Sequence, residues 1–146
     1  MSPGQEPDSR RFNTIAMLGQ AYSLLGFRIV DGVVGSGHPI KPSHSAVFAQ
    51  IRPEGSRLTD LARGAGMTPQ AMGELVDELV DLEYVVRRLD PSDGRAKLIV
   101  LTEKGQACVS AGIATITTLE ESISALLGER GHRELRRLLQ RLLDQR

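Results

Sequence analysis

The chain has 146 residues, and its 18 lysines and arginines balance 18 aspartates and glutamates. This length fits one compact domain, or a small domain whose long helices need a partner, and it excludes a multidomain enzyme. The even balance of charge favours neither a polyanion binder nor an acidic tail, so any basic surface must be local. One cysteine excludes an internal disulfide, and aliphatic side chains must form the core.

The start of the chain, MSPGQEPDSRR, has no apolar signal-peptide core. No apolar run approaches the roughly 20 residues that span a bilayer. We therefore expect a cytoplasmic protein without membrane contact. Residues 1–10 are rich in proline, glycine, serine and charge, which predicts a flexible arm.

Two helices are predicted after this arm. Apolar residues recur in steps of three and four from Ile15 to Val33, which indicates one face of a long amphipathic helix ending at Gly35-Ser36-Gly37-His38-Pro39. A second, short helix is predicted from Ser43 to Ile51, with Val47, Phe48 and Ile51 facing inward.

The segment from Leu58 to Asp77 has the spacing of a helix-turn-helix. Ser56 is a candidate N-cap for the first of its helices, Ala62 is small enough for the helix crossing, and Gly66 suits the turn. Thr68 and Pro69 then cap and start the second helix, which should end near Glu83. Its inward positions are apolar: Met72, Leu75, Val76 and Leu79. An ordinary helical corner is the alternative interpretation of this segment taken alone.

A β-hairpin is predicted directly after the helix-turn-helix. Val85 to Leu89 and Ala96 to Leu101 are β-branched and aliphatic runs, separated by a turn-rich connector from Asp90 to Arg95. A helix-turn-helix followed by a two-stranded ribbon is the winged arrangement of DNA-binding proteins. The alternative is a solvated hairpin whose arginines pair with Asp90 and Asp93.

The candidate DNA contacts lie on the second helix and on the wing. On the helix, Gln70 suits adenine, the Thr68 hydroxyl suits a phosphate or base, Glu74 suits cytosine, and Gly73 would permit close backbone approach. Wing arginines suit the negative potential of a minor groove. The complete set is Thr68, Pro69, Gln70, Gly73, Glu74, Arg87, Arg88, Asp93, Arg95 and Lys97.

One feature counts against DNA binding. The segment from Thr68 to Tyr84 carries five acids and no lysine or arginine; the acids are Glu74, Asp77, Glu78, Asp81 and Glu83. Repulsion from phosphates is avoided if the uncharged N-terminal half of the helix approaches the DNA, since that end of the helix dipole favours phosphate.

Two further helices close the chain. The first starts at Thr102-Glu103-Lys104-Gly105 and is broken at Gly128 or Gly131, and the second carries an apolar stripe from Leu135 to Leu143. This stripe matches the first helix in character, which favours a dimer interface over an intramolecular core. The candidate dimerisation residues are Ile15, Leu18, Tyr22, Leu135, Leu138, Leu139 and Leu142.

The predicted fold is therefore mainly α with a small β-hairpin wing (α+β), in the element order α-α-α-α-β-β-α-α. Residues 11–36 and 103–146 form the helical dimerisation region, and residues 40–102 form a winged helix-turn-helix intertwined with it.

Four stretches of the sequence resemble the MarR family of bacterial regulators. They are Leu58-Thr59-Asp60-Leu61-Ala62, Met67-Thr68-Pro69-Gln70-Ala71-Met72, the wing from Val85 to Arg95 with its D-P-x-D-x-R pattern, and Leu101-Thr102-Glu103-Lys104-Gly105. The resemblance covers the chain from about Phe12 to its end. Two positions depart from the family pattern: Gly94, where many members have arginine, and Tyr84, where many have glycine.

The resemblance implies a triangular homodimer whose two winged lobes straddle a palindromic operator. It makes Arg95 the wing-tip arginine for the minor groove and Asp93 its orienting partner. Members of the family commonly repress nearby genes and release DNA when a small aromatic or phenolic ligand enters a cleft. Its walls would be ordinary apolar residues of the first, second and fifth helices, so effector-binding residues are unknown from the sequence.

Several polar residues outside these motifs have simpler interpretations. Cys108 is an oxidation-sensor candidate, but a buried structural thiol is the favoured interpretation. His38 and His44 lack a cysteine or carboxylate set for zinc, which favours loop and helix-cap roles, and His132 is expected to be exposed. No catalytic constellation appears, so we expect no enzyme activity, no cofactor and no metal site.

The sequence thus predicts a homodimeric transcriptional regulator, with double-stranded DNA, a second copy of itself and a small-molecule effector as partners. One alternative is a winged-helix protein-interaction module without DNA binding. Another is a regulator without an effector, whose occupancy follows its own concentration.

Overall fold

The computed structural model describes residues 8–145, so most of the arm predicted at residues 1–10 and the terminal Arg146 lie outside the described residues. In chain order the elements are α1 (Thr14–Gly35), a 3-10 turn (Pro42–His44), α2 (Ser45–Phe48), α3 (Leu58–Ala65), α4 (Pro69–Asp81), β1 (Val85–Asp90), β2 (Asp93–Leu101) and α5 (Glu103–Leu143). The mainly helical fold with a single hairpin is confirmed.

Helix α1 begins and ends where its sequence predicts. The Asn13 side chain accepts a hydrogen bond from the Ala16 amide at 2.9 Å, which satisfies one of the free amides of the first turn. The helix ends at Gly35, and Gly37 has a φ of 94°, a conformation that favours glycine.

The second helix is shorter than the predicted span from Ser43 to Ile51. The chain forms a 3-10 turn over Pro42–His44 and only one α-helical turn in α2. Pro53 disfavours helical backbone at Arg52, so the chain leaves the helix early. Val47 is nevertheless fully buried, and Phe48 and Ile51 pack against the core as predicted.

The helix-turn-helix is formed by α3 and α4. Ala62 is buried where the helices meet, and Gly66 ends α3 with a φ of 65°. Thr68 accepts from the Ala71 amide at 3.2 Å and Pro69 opens α4, so the predicted cap is confirmed. The Ser56 cap is wrong: Arg57 occupies the N-cap position, because Ser56 instead pairs with Ile99 in a β-bridge.

The wing is a tighter hairpin than predicted. Strands β1 and β2 pair antiparallel from Val85 opposite Leu101 to Leu89 opposite Lys97, and an irregularity then sets Asp90 opposite Asp93. The strands therefore extend into the predicted connector, and Pro91 and Ser92 alone separate them. Ile99 faces the core and is buried, while the side chains at the wing tip are exposed.

The start of α5 is fastened to the junction between α4 and β1. Helix α4 ends at Asp81, two residues before the predicted Glu83, and Glu83 has a φ of 65°. The Thr102 hydroxyl donates to the Glu83 carbonyl at 2.6 Å and accepts from the Gly105 amide at 3.0 Å. A side chain at Gly105 would collide with the Tyr84 carbonyl, so the L-T-x-x-G pattern has a steric cause.

Helix α5 is interrupted at Gly128, one of the two breaks predicted. This residue has a φ of 74° and a ψ of 156°, which is not helical. The segment after the break runs back beside the segment before it, since His132 lies 3.0 Å from Glu120. The predicted exposure of His132 is therefore wrong: its side chain is only 12% exposed.

The buried core lies mainly in the winged part of the chain. It is formed by Val33, Ile40, Val47, Leu61, Ala62, Met72, Val76, Leu79, Tyr84, Val85, Ile99 and Cys108. Helices α1 and α5 pack on each other beside it. No helix among residues 8–145 is long and apolar enough to cross a membrane.

Candidate nucleic-acid interface

The first turn of α4 presents an uncharged, exposed surface. Thr68, Pro69 and Gln70 are all exposed, and Glu74 is exposed one turn later. Gly73 is different: it is half-buried, and a Cβ there would lie 3.7 Å from Leu58 of α3. Gly73 is therefore only partly open to the solvent, and its close approach to DNA stays a prediction.

The acidic half of α4 is partly neutralised by basic neighbours. Asp77 accepts from the Arg87 guanidinium of β1 at 2.6 Å. Glu78 accepts from Lys41 at 2.9 Å and from His44 at 2.8 Å. These hydrogen bonds, that of Lys41 first, lower the pKa of Glu78. Two of the five acids that count against DNA binding are thus engaged within the protein.

His44 fixes α4 to the turn that precedes α2. Its ring is fully buried, and Nδ1 accepts from the Lys41 amide at 3.1 Å. Because Nδ1 is an acceptor, the proton lies on Nε2, which donates to Glu78. The predicted helix-cap role of His44 is confirmed, whereas its link to α4 was not apparent from the sequence.

The wing carries cations that are free of acidic partners. Arg88, Arg95 and Lys97 are exposed, and none has a carboxylate oxygen within 4.0 Å among residues 8–145. The alternative in which the wing arginines pair with Asp90 and Asp93 is wrong. Arg57, which lies outside the wing, occupies both acids instead.

Asp90 joins the base of the wing tip to α3. Its carboxylate accepts from Arg57 at 2.8 Å and from the Ser92 amide and hydroxyl at 2.9 and 2.7 Å. These bonds, led by that of Arg57, lower the pKa of Asp90 to about 2. Arg57 was not predicted from the sequence, where its one local signal is the N-cap position before Leu58.

Asp93 acts on the wing through the backbone. Its Oδ1 accepts from the amide of Arg95 at 3.1 Å, which is a local turn, and its Oδ2 lies 3.8 Å from Arg57. This contact shapes the tip that carries Arg95 and does not involve the guanidinium of Arg95.

A cavity of about 600 Å³ lies between α1, α2 and α5. Leu25 and Ile29 of α1, Phe48 of α2, and Val109 of α5 line it. The walls come from the three helices named in the sequence analysis. Cys108 also lines the cavity; burial raises the pKa of its thiol to about 11. Burial of the Cys108 thiol, the interpretation favoured from the sequence, is confirmed.

Tyr84 lies between the end of α4 and the start of the wing, behind Phe48 of the cavity wall. It is fully buried, and its ring meets Phe48 edge to face with centroids 5.8 Å apart. Its hydroxyl lies 3.2 Å from Nδ1 of His38, and Lys104 lies 4.6 Å above the ring centroid. The large side chain that departs from the family pattern is thus accommodated as core, and His38 has a loop role against it.

The winged region is similar in sequence to known proteins. The MarR family model matches residues 38–96. Repressors of the helix-turn-helix type from Mycobacterium bovis and Mycobacterium tuberculosis are each 34% identical to the chain over 83 residues, which is 57% of this chain and 60% of theirs. The chain thus matches less than two thirds of the length of these relatives.

Solved structures share the fold along most of the chain. A transcriptional repressor, CouR, bound to a 23-mer DNA duplex has a TM-score of 0.77 at 21% identity, with 97% of this chain and 99% of that chain covered. A probable transcriptional regulator from Pseudomonas aeruginosa has a TM-score of 0.73 at 24% identity, with 91% and 98% covered. The MarR family match thus covers the winged region, and the solved structures share the fold along most of the chain.

Proposed function

We propose that the protein is a homodimeric transcriptional repressor that binds a palindromic duplex operator and is released from it by a small aromatic or phenolic ligand. The observation that carries the proposal is the exposed, uncharged first turn of α4 beside a wing whose Arg95 has no acidic partner among residues 8–145. The α4 turn suits the major groove, and the wing suits the minor groove.

The relatives support the same function. The Mycobacterium proteins are described as repressors, and CouR has been solved bound to DNA and, from Rhodococcus jostii RHA1, to p-coumaroyl-CoA. For BpsR of Bordetella bronchiseptica, DNA binding is regulated by 6-hydroxynicotinic acid. We infer the corresponding partners for this chain: duplex DNA and a small ligand.

The homodimer is supported by the apolar side chains that one chain leaves uncovered. Ile15 and Tyr22 of α1 are 83% and 80% exposed, and Leu138 and Leu142 of α5 are 44% and 57% exposed. A helix that is apolar on several sides is normally buried, so a second chain would cover these faces. In such a dimer the two α4 helices would address half-sites about 34 Å apart.

Release follows from that spacing. The cavity lies between α1 and α5, which would hold the dimer, and the winged part, which would hold DNA. A ligand that binds the wrongly spaced state better than the DNA-competent state shifts the population off the operator in proportion to its differential affinity.

The experiment is a titration of the purified protein against fragments of its own upstream DNA, at several salt concentrations. Arg95→Ala should weaken specific binding by about tenfold or more, because a minor-groove arginine is lost. Arg133→Ala is the matched control: it removes the same charge from an exposed position on α5 and should bind as the wild type does. Equal effects of both variants would contradict the assigned role of the wing.

The alternative is a winged-helix interaction module that has lost DNA binding. Glu74 and Asp81 on α4 favour it, since the structure shows no cation within 4.0 Å of either among residues 8–145. The test is a selection of genomic DNA fragments by the purified, folded protein. If no fragment is bound, the result supports the interaction module and overturns the repressor. If the protein binds DNA and no aromatic or phenolic compound weakens this binding, the result supports a regulator without an effector. Its occupancy of the operator would then follow its own concentration.

A further inference from the structure

The cavity between α1, α2 and α5 is large enough for a ligand because two glycines face it. A Cβ at Gly26 of α1 would meet no atom within 4 Å, and one at Gly112 of α5 would meet only Val33, at 3.8 Å. Side chains at these two positions would occupy space that is now empty. The volume of about 600 Å³ falls in the range of pockets that hold drug-sized molecules.

The lining that residues 8–145 of one chain contribute carries no formal charge. Among the described residues that line the cavity there is no aspartate, glutamate, lysine, arginine or histidine. Its polar side chains are the hydroxyls of Tyr22 and Ser45 and the thiol of Cys108. Because the pKa of that thiol is raised to about 11, the thiol is neutral near pH 7. The lining therefore offers one or two hydrogen bonds and no counter-ion.

This chemistry discriminates between ligands by charge. An ionised carboxylate, phosphate or sulfonate that entered would lose its hydration without gaining a cation, which is strongly unfavourable. An uncharged molecule would gain from burial against the leucine, isoleucine and valine side chains, and its oxygen could pair with Ser45 or Tyr22. The edge-to-face pair of Phe48 and Tyr84 places an aromatic ring at the cavity wall.

We propose that this cavity binds an uncharged, mainly apolar aromatic molecule that carries one or two hydroxyl, ketone or ether oxygens, and that it rejects the ionised form of aromatic acids. The inference rests on the proposed function in one respect, that this cavity is the effector site. It assigns the effector a chemical class that differs from the acid and the CoA thioester named for the structural neighbours.

The test uses two fluorescent probes with the same aromatic skeleton. N-phenyl-1-naphthylamine is neutral, and 8-anilino-1-naphthalenesulfonate adds a sulfonate that is ionised at every working pH. The full-length protein should bind the neutral probe about tenfold more tightly or better, since the sulfonate would be buried unpaired. Equal or tighter binding of the sulfonate would overturn the proposal, because it would require a cation in the site.

Two variants assign the binding to the cavity. Gly26→Leu fills the space and should abolish binding of the neutral probe, whereas Gly35→Leu adds the same side chain near the end of α1, outside the cavity, and should leave binding unchanged. Ser45→Arg supplies a counter-ion and should reverse the preference in favour of the sulfonate. Unchanged probe affinities in both cavity variants would place the probes elsewhere and overturn the proposal.

Probe binding is measured without DNA, so the inferred ligand class is tested separately from the proposed DNA-binding function. If the neutral probe binds in the cavity as expected but does not release the operator, the ligand class stands and the cavity is not the effector site. If the sulfonate alone releases the operator, the regulatory function stands and the inferred ligand class is wrong.

Discussion

The winged part of the chain and the two long helices differ in how much of their apolar surface one chain buries. From Ile40 to Ile99, the winged part buries its own core, in which Met72, Val76 and Leu79 are fully inaccessible. Helices α1 and α5 bury few large side chains: Val30 and Val33 of α1 and Cys108 of α5. Among residues 8–145, Leu89 is the only exposed large hydrophobic residue that lies outside the region of these helices.

This difference indicates how each region gains its stability. Burial of apolar surface is the dominant favourable contribution to folding, so the winged part has its main source of stability within one chain. The long helices have apolar surface left over, and its burial requires another molecule. The comparison therefore predicts that substitutions at the exposed apolar positions of the long helices alter assembly. Substitutions in the winged part, or where α5 packs against it, should alter the stability of the single chain.

The largest effect is expected for charges on the exposed stripe of α5. The double substitution Leu138→Glu with Leu142→Glu places two carboxylates on one helical face, where a partner would bury them unpaired. We expect the dissociation constant of the proposed dimer to rise by about a thousandfold, about 4 kcal/mol, as measured by analytical ultracentrifugation. Leu89→Glu, on the wing, is the control and should leave the dimer intact.

The interpretation of the stripe is wrong if the double variant dimerises as strongly as the wild type. In that case a different surface joins the chains, or the chain is a monomer from the start.

The next effect concerns two glycines on α5. A methyl group at Gly105 would collide with the Tyr84 carbonyl and crowd Leu101, so Gly105→Ala should lower the free energy of unfolding by about 2–3 kcal/mol. At Gly112 a methyl group would make only ordinary contact with Val33. Gly112→Ala should therefore raise the free energy of unfolding by up to about 1 kcal/mol, from helix propensity.

Urea denaturation of both variants measures this difference. Equal destabilisation would show that loss of glycine, and not contact with the junction between α4 and β1, is responsible.

Local signals made the winged fold predictable from the sequence. The cap at Thr68, the proline that follows it and the αL glycine at Gly66 act within a few residues, and the structure has each of them where the sequence placed it. The exposed surface at Thr68 to Gln70 followed from the same helical periodicity. The wrong cap at Ser56 shows the limit of local reasoning: this residue is engaged by Ile99, which is distant in sequence.

The contacts that fix the candidate site were not predictable, since they join residues far apart in sequence. Arg57 meets Asp90 across 33 residues, and His44 meets Glu78 across 34 residues. No periodicity or capping rule links such pairs. The neutrality of the cavity was hidden for the same reason: apolar residues on three helices look like ordinary core until their arrangement shows an empty space among them.

Asp90 offers a test within the winged part, through acid denaturation. Its pKa in the folded protein is about 2, below the value of about 3.9 expected for the unfolded chain. The stabilisation is therefore fully present above about pH 4 and is lost as the pH falls towards 2. Asp90→Asn should be less stable than the wild type at pH 6, and this difference should shrink as the pH falls to 2.5.

The measurement is urea denaturation at several pH values, with Asp81→Asn as the control. Asp81 is an exposed acid on α4, and no cation lies within 4.0 Å of it among residues 8–145. A difference between wild type and Asp90→Asn that stays constant with pH would show that the carboxylate acts by shape and not by charge.

The smallest effect is expected for the ion pair of Arg87 and Asp77, which joins the wing to α4 at 2.6 Å. The Asp77 side chain is 68% exposed, so solvent and salt screen the interaction. A double-mutant cycle of Arg87→Ala and Asp77→Ala should give a coupling of about 0.5 kcal/mol that disappears in 1 M NaCl. A coupling above about 1.5 kcal/mol, independent of salt, would mean that surface ion pairs stabilise the winged part beside its apolar core. The contrast with the long helices would then rest on charge as well as on burial.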